Sequence, residues 1–269
     1  MTVRLPEHPV VSPVSRGLER GALIAAPLLV LTLVVMRGAA PAPFDLVTLA
    51  LVALGVLAAD FVSGLVHWAA DTWGSRDWPL IGERLIEPFR VHHVNPRDIC
   101  RRDMVDLNGD IALLSLPLLL WALLRTDPLP LADSLRGLEF VAAFVAFTLP
   151  TNLVHRWAHA GRDAPWLARA LQRSGLILSP RSHHPHHRPP FDRDYCIVNG
   201  WCNPLLRATR FWRGMEWLVS KSSGAEPRAD DRAVVAATFA LGGRSDGTEA
   251  ETGRNLRGSP RSPARSAAG

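Results

Sequence analysis

Four apolar blocks organise the first two-thirds of the chain. Gly21–Met36 carries no charge and stops abruptly at Arg37. Leu46–Trp68 is broken only by Asp60 and, at its end, by His67. Ile111–Leu124 and Phe140–Val154 follow, with a turn-rich connector, Arg125–Arg136, between them that contains Pro128 and Pro130. A membrane span needs roughly 20 mostly apolar residues, so either of the last two blocks alone would also suit a buried core helix. The first block could be the apolar core of a signal peptide, since positive charge precedes it. Three further blocks and the abrupt stop at Arg37 favour a span instead. As a set, the blocks predict an all-α integral membrane protein with about four transmembrane helices.

Charge then orients the helices. Arginine supplies nearly all the positive charge, Lys221 being the only lysine, and the formal net charge is +5. Arg4, Arg16 and Arg20 precede the first block. Arg76, Arg84, Arg90, Arg97, Arg101 and Arg102 lie between the second and third, and the segment after the fourth is rich in arginine again. The loop between the first two blocks has only Arg37. Positively charged loops stay in the cytoplasm. Both termini and the 69–110 loop are therefore expected there, as in a multi-pass protein of a bacterial-type cell membrane. No nucleic-acid-binding module is visible, so the basic balance is read as contact with lipid headgroups. Cys100, Cys196 and Cys202 have no paired spacing and are read as reduced thiols. Residues 1–20 form a cytoplasmic N-terminal segment in this reading, 21–231 the membrane domain, and 232–269, poor in large apolar residues, a disordered tail.

That topology sorts the histidines. Of ten, all but His8 fall at span ends or in loops on the expected cytoplasmic side. His67 and Asp71 are spaced i,i+4, which puts them on one helical face. So are His155 and His159, a spacing that lets two imidazoles grip one ion. His92 and His93 are adjacent, so they either serve two metals or pair a ligand with a hydrogen-bonding neighbour. Arg181–Asp192 contains His183, His184, His186 and His187, where Pro185 and the Pro189–Pro190 pair leave room only for a tight turn or one short helical turn. Asp60, two turns before His67, is either a partner that orients a ligand or a residue satisfied locally near the interface. Asn152 could orient a histidine by hydrogen bonding. So many imidazoles exceed one coordination shell, which suggests two ions. Imidazole suits iron, zinc or copper. At a membrane interface the substrate would be a lipid, for which iron offers O2-dependent C–H chemistry, whereas zinc would suggest hydrolysis.

At these residues the sequence resembles the CarF/Kua family of lipid desaturases, which includes the plasmanylethanolamine desaturases. The resemblance is carried by DFVSGLVHWAADTWGSR (Asp60–Arg76), PFRVHH ending at His93 and DLNGD (Asp106–Asp110). It continues through NLVHRWAHA (Asn152–Ala160), PRSHHPHH ending at His187, YCIVNGW ending at Trp201 and EPRADD ending at Asp231. It implies an enzyme that converts the O-alkyl chain of an ether phospholipid to the vinyl ether of a plasmalogen, with O2 and a histidine-bound di-iron centre. Carried over by motif, the metal ligands are His67, His92, His93, His155, His159, His183, His186 and His187, with Asp71 added to the catalytic set. One departure is Ser182, where eukaryotic members have a histidine; the extra histidine here, His184, falls outside the HxxHH pattern and is left out of the site. Plant plastid relatives desaturate an acyl chain instead, so an acyl-lipid desaturase or lipid hydroxylase is the rival within the family. A non-catalytic membrane metal sensor or scaffold is the rival from another class. No flavin or nicotinamide motif is present, so electrons are expected from a separate donor such as a ferredoxin or a cytochrome b5-like protein. Arg207, Arg210 and Arg213 could dock that donor or contact headgroups.

Overall fold

The computed structural model describes residues 12–40, 44–125 and 137–228. The expected tail at 232–269, the start of the N-terminal segment, and Pro128 and Pro130 of the connector lie outside the described residues. All regular structure among the described residues is helical. The chain runs through α1 (Pro13–Ala39), α2 (Leu46–Thr72), α3 (Glu87–Val94), α4 (Met104–Leu124), α5 (Leu138–Thr148) and α6 (Thr151–Ala160). It ends with α7 (Trp166–Ser174), the single turn α8 (Pro180–His183), α9 (Asn203–Ala208) and α10 (Phe211–Ser223). Helices α1, α2 and α4, and the α5–α6 pair as one stretch, are long and apolar enough to cross a membrane.

The spans are longer than their apolar cores. Helix α1 begins at Pro13, not Gly21, because the Ser12 side chain accepts from the Ser15 N–H and Pro13 is preset for a first helical turn. Residues 13–20 thus continue the helix of the first apolar block. Helix α4 likewise starts at Met104, where the Asp103 carboxylate caps the Val105 and Asp106 N–H groups. Its first turns carry Asp106, Asn108 and Asp110, so a reading by apolar run starts too late. The fourth block resolves into α5 and α6, which meet at Leu149–Pro150. A proline cannot donate the helical hydrogen bond, so a break belongs there.

Helix α1 packs on α4 and α5, and α2 packs on α5. Ala22 and Ala26 of α1, Ala112 and Ala122 of α4 and Ala142 of α5 are buried in these contacts. Small residues let helix backbones approach where lipid removes the usual hydrophobic drive. Gly55 shows how close: a Cβ there would sit 2.6 Å from the Phe140 carbonyl oxygen on α5.

Polar pairs fix which ends lie together. At one end Arg16 pairs with Asp106, Arg84 pairs with Glu19 and Asp110, and Asn152 Nδ2 donates to the Leu107 carbonyl at 2.6 Å. At the other, the buried Arg37 donates to Glu139 at 2.6 Å and to Thr48 at 3.1 Å. The N-terminal ends of α1 and α4 therefore share one end of the bundle with the C-terminal ends of α2 and α6. Asn152 clamps α6 to α4 and does not hydrogen-bond to a histidine, contrary to the expectation from its position.

Candidate metal centre

The helical register brings nine donors to that shared end. His67 and Asp71 come from the last turns of α2, His92 and His93 from α3, His155 and His159 from α6. Helix α8 and the turn after it supply His183, His186 and His187. The side chains separate into two groups, within each of which donor atoms lie within 4.8 Å of one another. One group is His92, His155, His159, His183 and His187; the other is His67, Asp71, His93 and His186. His184, which lies outside the HxxHH pattern, belongs to neither and is exposed. The adjacent pair His92–His93 is split between the groups. So is the pair His186–His187, because consecutive side chains diverge. The groups are neighbours, with the His67 and His155 ring centroids 5.6 Å apart and those of His93 and His187 5.7 Å apart.

The donor chemistry fits cations. His67 Nδ1 lies 3.0 Å from the Tyr195 carbonyl and His186 Nδ1 lies 2.9 Å from the Arg193 carbonyl. A carbonyl only accepts, so each Nδ1 carries the proton and each Nε2 presents a lone pair. Both lone pairs face Asp71 Oδ2, at 3.2 and 3.4 Å, and His93 Nε2 faces the same oxygen at 3.2 Å. Although His67 Nε2 and Asp71 are close, neither that nitrogen nor either Asp71 oxygen has a hydrogen-bond partner. Lone pairs turned on a carboxylate in a buried pocket repel unless a proton or a cation stands between them.

The five-histidine group makes the same point. His155 Nε2 lies 3.0 Å from His92 Nε2, 2.9 Å from His183 Nε2 and 3.3 Å from His159 Nε2, and His183 Nε2 lies 2.9 Å from His187 Nε2. A neutral imidazole nitrogen offers one proton or one lone pair, so His155 cannot satisfy three neighbours at once. One cation can face all five lone pairs. Burial first, and neighbouring imidazoles second, hold His92, His183 and His186 well below the ordinary histidine range, and push His187 down to about 2. Neutral rings are the ligand form.

A loop holds the second group in place. Asp60 is fully buried and accepts from four backbone N–H groups: Val198, Asn199 and Gly200 on Oδ1 at 3.2, 3.0 and 2.9 Å, and Cys202 on Oδ2 at 2.9 Å. Ser63 Oγ, one turn on, accepts from Ile197 at 3.0 Å. Gly64 leaves the loop room, since a Cβ there would meet Cys196 Sγ at 2.5 Å. Asp60 therefore neither touches His67 nor reaches the interface. It anchors the loop whose Tyr195 carbonyl fixes the His67 ring. Phe191 stacks on His93 with centroids 4.6 Å apart, and Phe89 packs on His67 at 4.9 Å. The sequence reading missed Tyr195 and Arg193 because they act through backbone carbonyls, which no side-chain pattern reveals. The signal available was YCIVNGW standing beside an aspartate inside an apolar helix.

Other charges brace this shell. Arg228 pairs through two nitrogens with Glu216, at 2.8 and 2.9 Å, and its N–H donates to the Thr72 carbonyl at 2.8 Å. Arg207 donates to both oxygens of Asp194, and Arg213 pairs with Glu216 and Asp192. Two of the three arginines expected to dock a donor thus already have partners in this chain. The three cysteines are free thiols, as expected.

A cavity of about 490 Å³ opens beside the five-histidine group. His92 and His155 form part of its wall, and residues of α2 to α6, of the segments flanking α3 and Ile197 line the rest. The volume lies within the ~300–1,000 Å³ range of small-molecule sites.

A family model described as a lipid desaturase domain matches residues 56–230. Plasmanylethanolamine desaturase of Myxococcus xanthus is 39% identical over 226 residues, which cover 84% of this chain and 79% of that protein. Plasmanylethanolamine desaturase 1 of Mus musculus is 43% identical over 189 residues, 69% of each chain. Fatty acid desaturase 4, chloroplastic, of Arabidopsis thaliana is 34% identical over 177 residues, 65% of this chain and 52% of that protein. No solved structure matches. With the match covering every residue of the two donor groups, the chain belongs to the lipid desaturase family.

Proposed function

We propose that this protein is a plasmanylethanolamine desaturase. It takes one hydrogen from each of C1′ and C2′ of an O-alkyl chain; O2, with two electrons and two protons supplied from outside, leaves as two waters. The observation that carries the reading is the pair of donor groups, five histidines beside three histidines and an aspartate, set against a cavity with a largely apolar lining. The relatives named for this activity support the choice of substrate.

In this reading His92, His155, His159, His183 and His187 hold one iron, and His67, Asp71, His93 and His186 hold the other. When bound, the two irons supply O2 activation and the oxidising strength that a C–H bond demands. The chain's own work is orientation and insulation. The Tyr195 and Arg193 carbonyls fix the rings of His67 and His186, and such outer partners raise ligand basicity as well as fixing the tautomer. Asp71 adds one negative charge to its group, which makes the two groups unequal in affinity for a cation. The apolar cavity wall keeps bulk water from the reacting bond.

The arginine-rich loops support a cytoplasmic placement of this end and of both termini. Electrons then come from a soluble or membrane-anchored donor on that side, a ferredoxin or a cytochrome b5-like protein. A second reading, acyl-lipid desaturation, is favoured by the relatives named fatty acid desaturases. Expression in a host that makes alkyl ether phospholipids, with a competent donor, separates them. Acid-labile vinyl ethers detected by mass spectrometry are expected. An unsaturated acyl chain in their place would favour the second reading, and protein loaded with zinc and no iron would sink both.

A further inference from the structure

We infer that the cavity of about 490 Å³ is the substrate slot, that the lipid enters it with its headgroup at a rim formed by Arg84 and Arg102, and that the five-histidine group is the one facing the reacting bond. This rests on the proposed ether-lipid activity and adds where, and which way round, the lipid sits.

The two donor groups do not share the cavity. His92 and His155 line it, whereas His67, Asp71, His93 and His186 do not. A substrate in the slot can therefore approach only the five-histidine group, with the aspartate-containing group behind it.

The slot is graded in polarity. Leu114, Leu118 and Phe144 line one part, from helices long and apolar enough to cross a membrane. Arg84, Asp98, Arg102, Asp106 and Asp110 line the other. This rim carries both signs, as a zwitterionic phosphoethanolamine does. Its charges already pair with one another, Arg84 with Asp110 at 2.6 Å and Arg102 with Asp98 at 3.1 Å. A phosphate on the arginines and an ammonium on Asp98 and Asp110 would exchange partners, while Arg16 keeps Glu19 and Asp106 paired. An anionic headgroup would leave the carboxylates facing negative charge.

Depth fixes the reacting bond. The Asn152–Leu107 hydrogen bond aligns α6 with α4. His155 lies three residues from Asn152, about 4.5 Å toward the polar end at 1.5 Å per residue. Leu114 and Leu118 lie about 10 and 16 Å the other way along α4. The histidines thus sit at the polar end of the slot, with His155 about 15 Å from the level of Leu114 and about 21 Å from that of Leu118. A lipid anchored by its headgroup presents to them the carbons nearest the glycerol oxygen, with the methyl end among the leucines. Oxidation at C1′–C2′, and not at mid-chain, follows from that level.

The test is photolabelling of the full-length protein in detergent with 1-O-alkyl phosphatidylethanolamine carrying a diazirine near the methyl end of its alkyl chain. Mass spectrometry is expected to find the label on α4 peptides containing Leu114–Leu118, or on Phe144. Ser115→Phe, which fills the slot from α4, should cut that labelling and vinyl-ether formation at least tenfold while iron per chain stays at the wild-type value. Leu114→Trp repeats the test should Ser115→Phe fail to fold. Unlabelled alkyl phosphatidylethanolamine should compete at least tenfold better than alkyl phosphatidylglycerol. Label on another surface, or wild-type labelling and turnover in both filled variants, overturns the slot; equal competition overturns the headgroup assignment. Label in the slot without vinyl-ether product from wild type would leave the slot standing and sink the proposed activity.

Discussion

Replacing Asp60 with alanine tests the link between a buried carboxylate and a distant metal group. The side chain accepts four backbone N–H bonds from residues 198–202 and is fully buried. Each buried donor left unmet costs ~1–3 kcal/mol. Four such losses overlap, since the loop can shift and water can enter, so a net destabilisation of ~3–5 kcal/mol is expected, the cost of breaking a buried charged network. Asp60→Asn should cost less, ~2–3 kcal/mol, because an amide oxygen can still serve the three donors on Oδ1 while its NH2 opposes the Cys202 N–H. The loop carries the Tyr195 carbonyl that orients His67, so the metal should respond too. Loss of such an outer partner typically weakens binding about 10–100-fold. The assay is reversible unfolding in mixed micelles by circular dichroism, paired with iron content across a chelator titration. Asp60→Ala should lose about one iron per chain at chelator levels that leave the five-histidine group loaded. An alanine variant within ~0.5 kcal/mol of wild type that holds both irons would refute the reasoning, since changes that small mark surface sites.

Three further outcomes follow from the geometry. His184→Ala, at an exposed ring outside both groups, should keep vinyl-ether formation within about twofold, whereas His186→Ala, two residues away, should lose at least about a hundredfold along with one iron. Gly55→Ala places a methyl group 2.6 Å from a backbone oxygen that cannot swing aside, so α2 and α5 must separate, at ~1–3 kcal/mol by thermal unfolding. Stripping the iron should expose a pH dependence. His92, His183, His186 and His187 are held below their ordinary value, so below pH ~6.5 the unfolded chain binds more protons than the folded one. The metal-free protein should therefore lose stability as pH falls from ~7 to ~5 and change little above ~7.5, and a midpoint flat with pH would contradict the neutral, crowded rings.

What the sequence made legible was set by chemistry with a short reach along the chain. Apolar runs marked all four spans, but Glu19 in α1 and Asp106 and Asp110 in α4 hid helical turns whose charges are met by partners far away in sequence. The spacing of His67 with Asp71 and of His155 with His159 placed each pair on one face. Division of the nine donors into five and four was not legible, because it depends on how α3 and the turn after α8 roll against α2 and α6. His92 and His93, and again His186 and His187, serve different groups from adjacent positions. The backbone carbonyls of Tyr195 and Arg193 lie further out of reach, since any residue supplies a carbonyl and only the folded loop aims it.

Helix α2 shows why these features stand or fall together. Its Asp60, Ser63, Gly64, His67 and Asp71 fall within a stripe about 100° wide at 100° per residue, in a helix otherwise apolar. Polar groups in a span must face the protein interior, so this stripe sets the rotation of α2. Gly55, on the opposite side, accepts the backbone of α5 and fixes the same rotation from behind. The upper part of the stripe binds a loop and the lower part presents donors, so the loop and the metal group cannot be placed independently. A slip of one residue in α2 would turn His67 and Asp71 by about 100°, unseat the loop from Asp60 and drive Gly55 away from Phe140. The register that buries an aspartate under a loop is therefore also the register that brings an imidazole and a carboxylate to one cation.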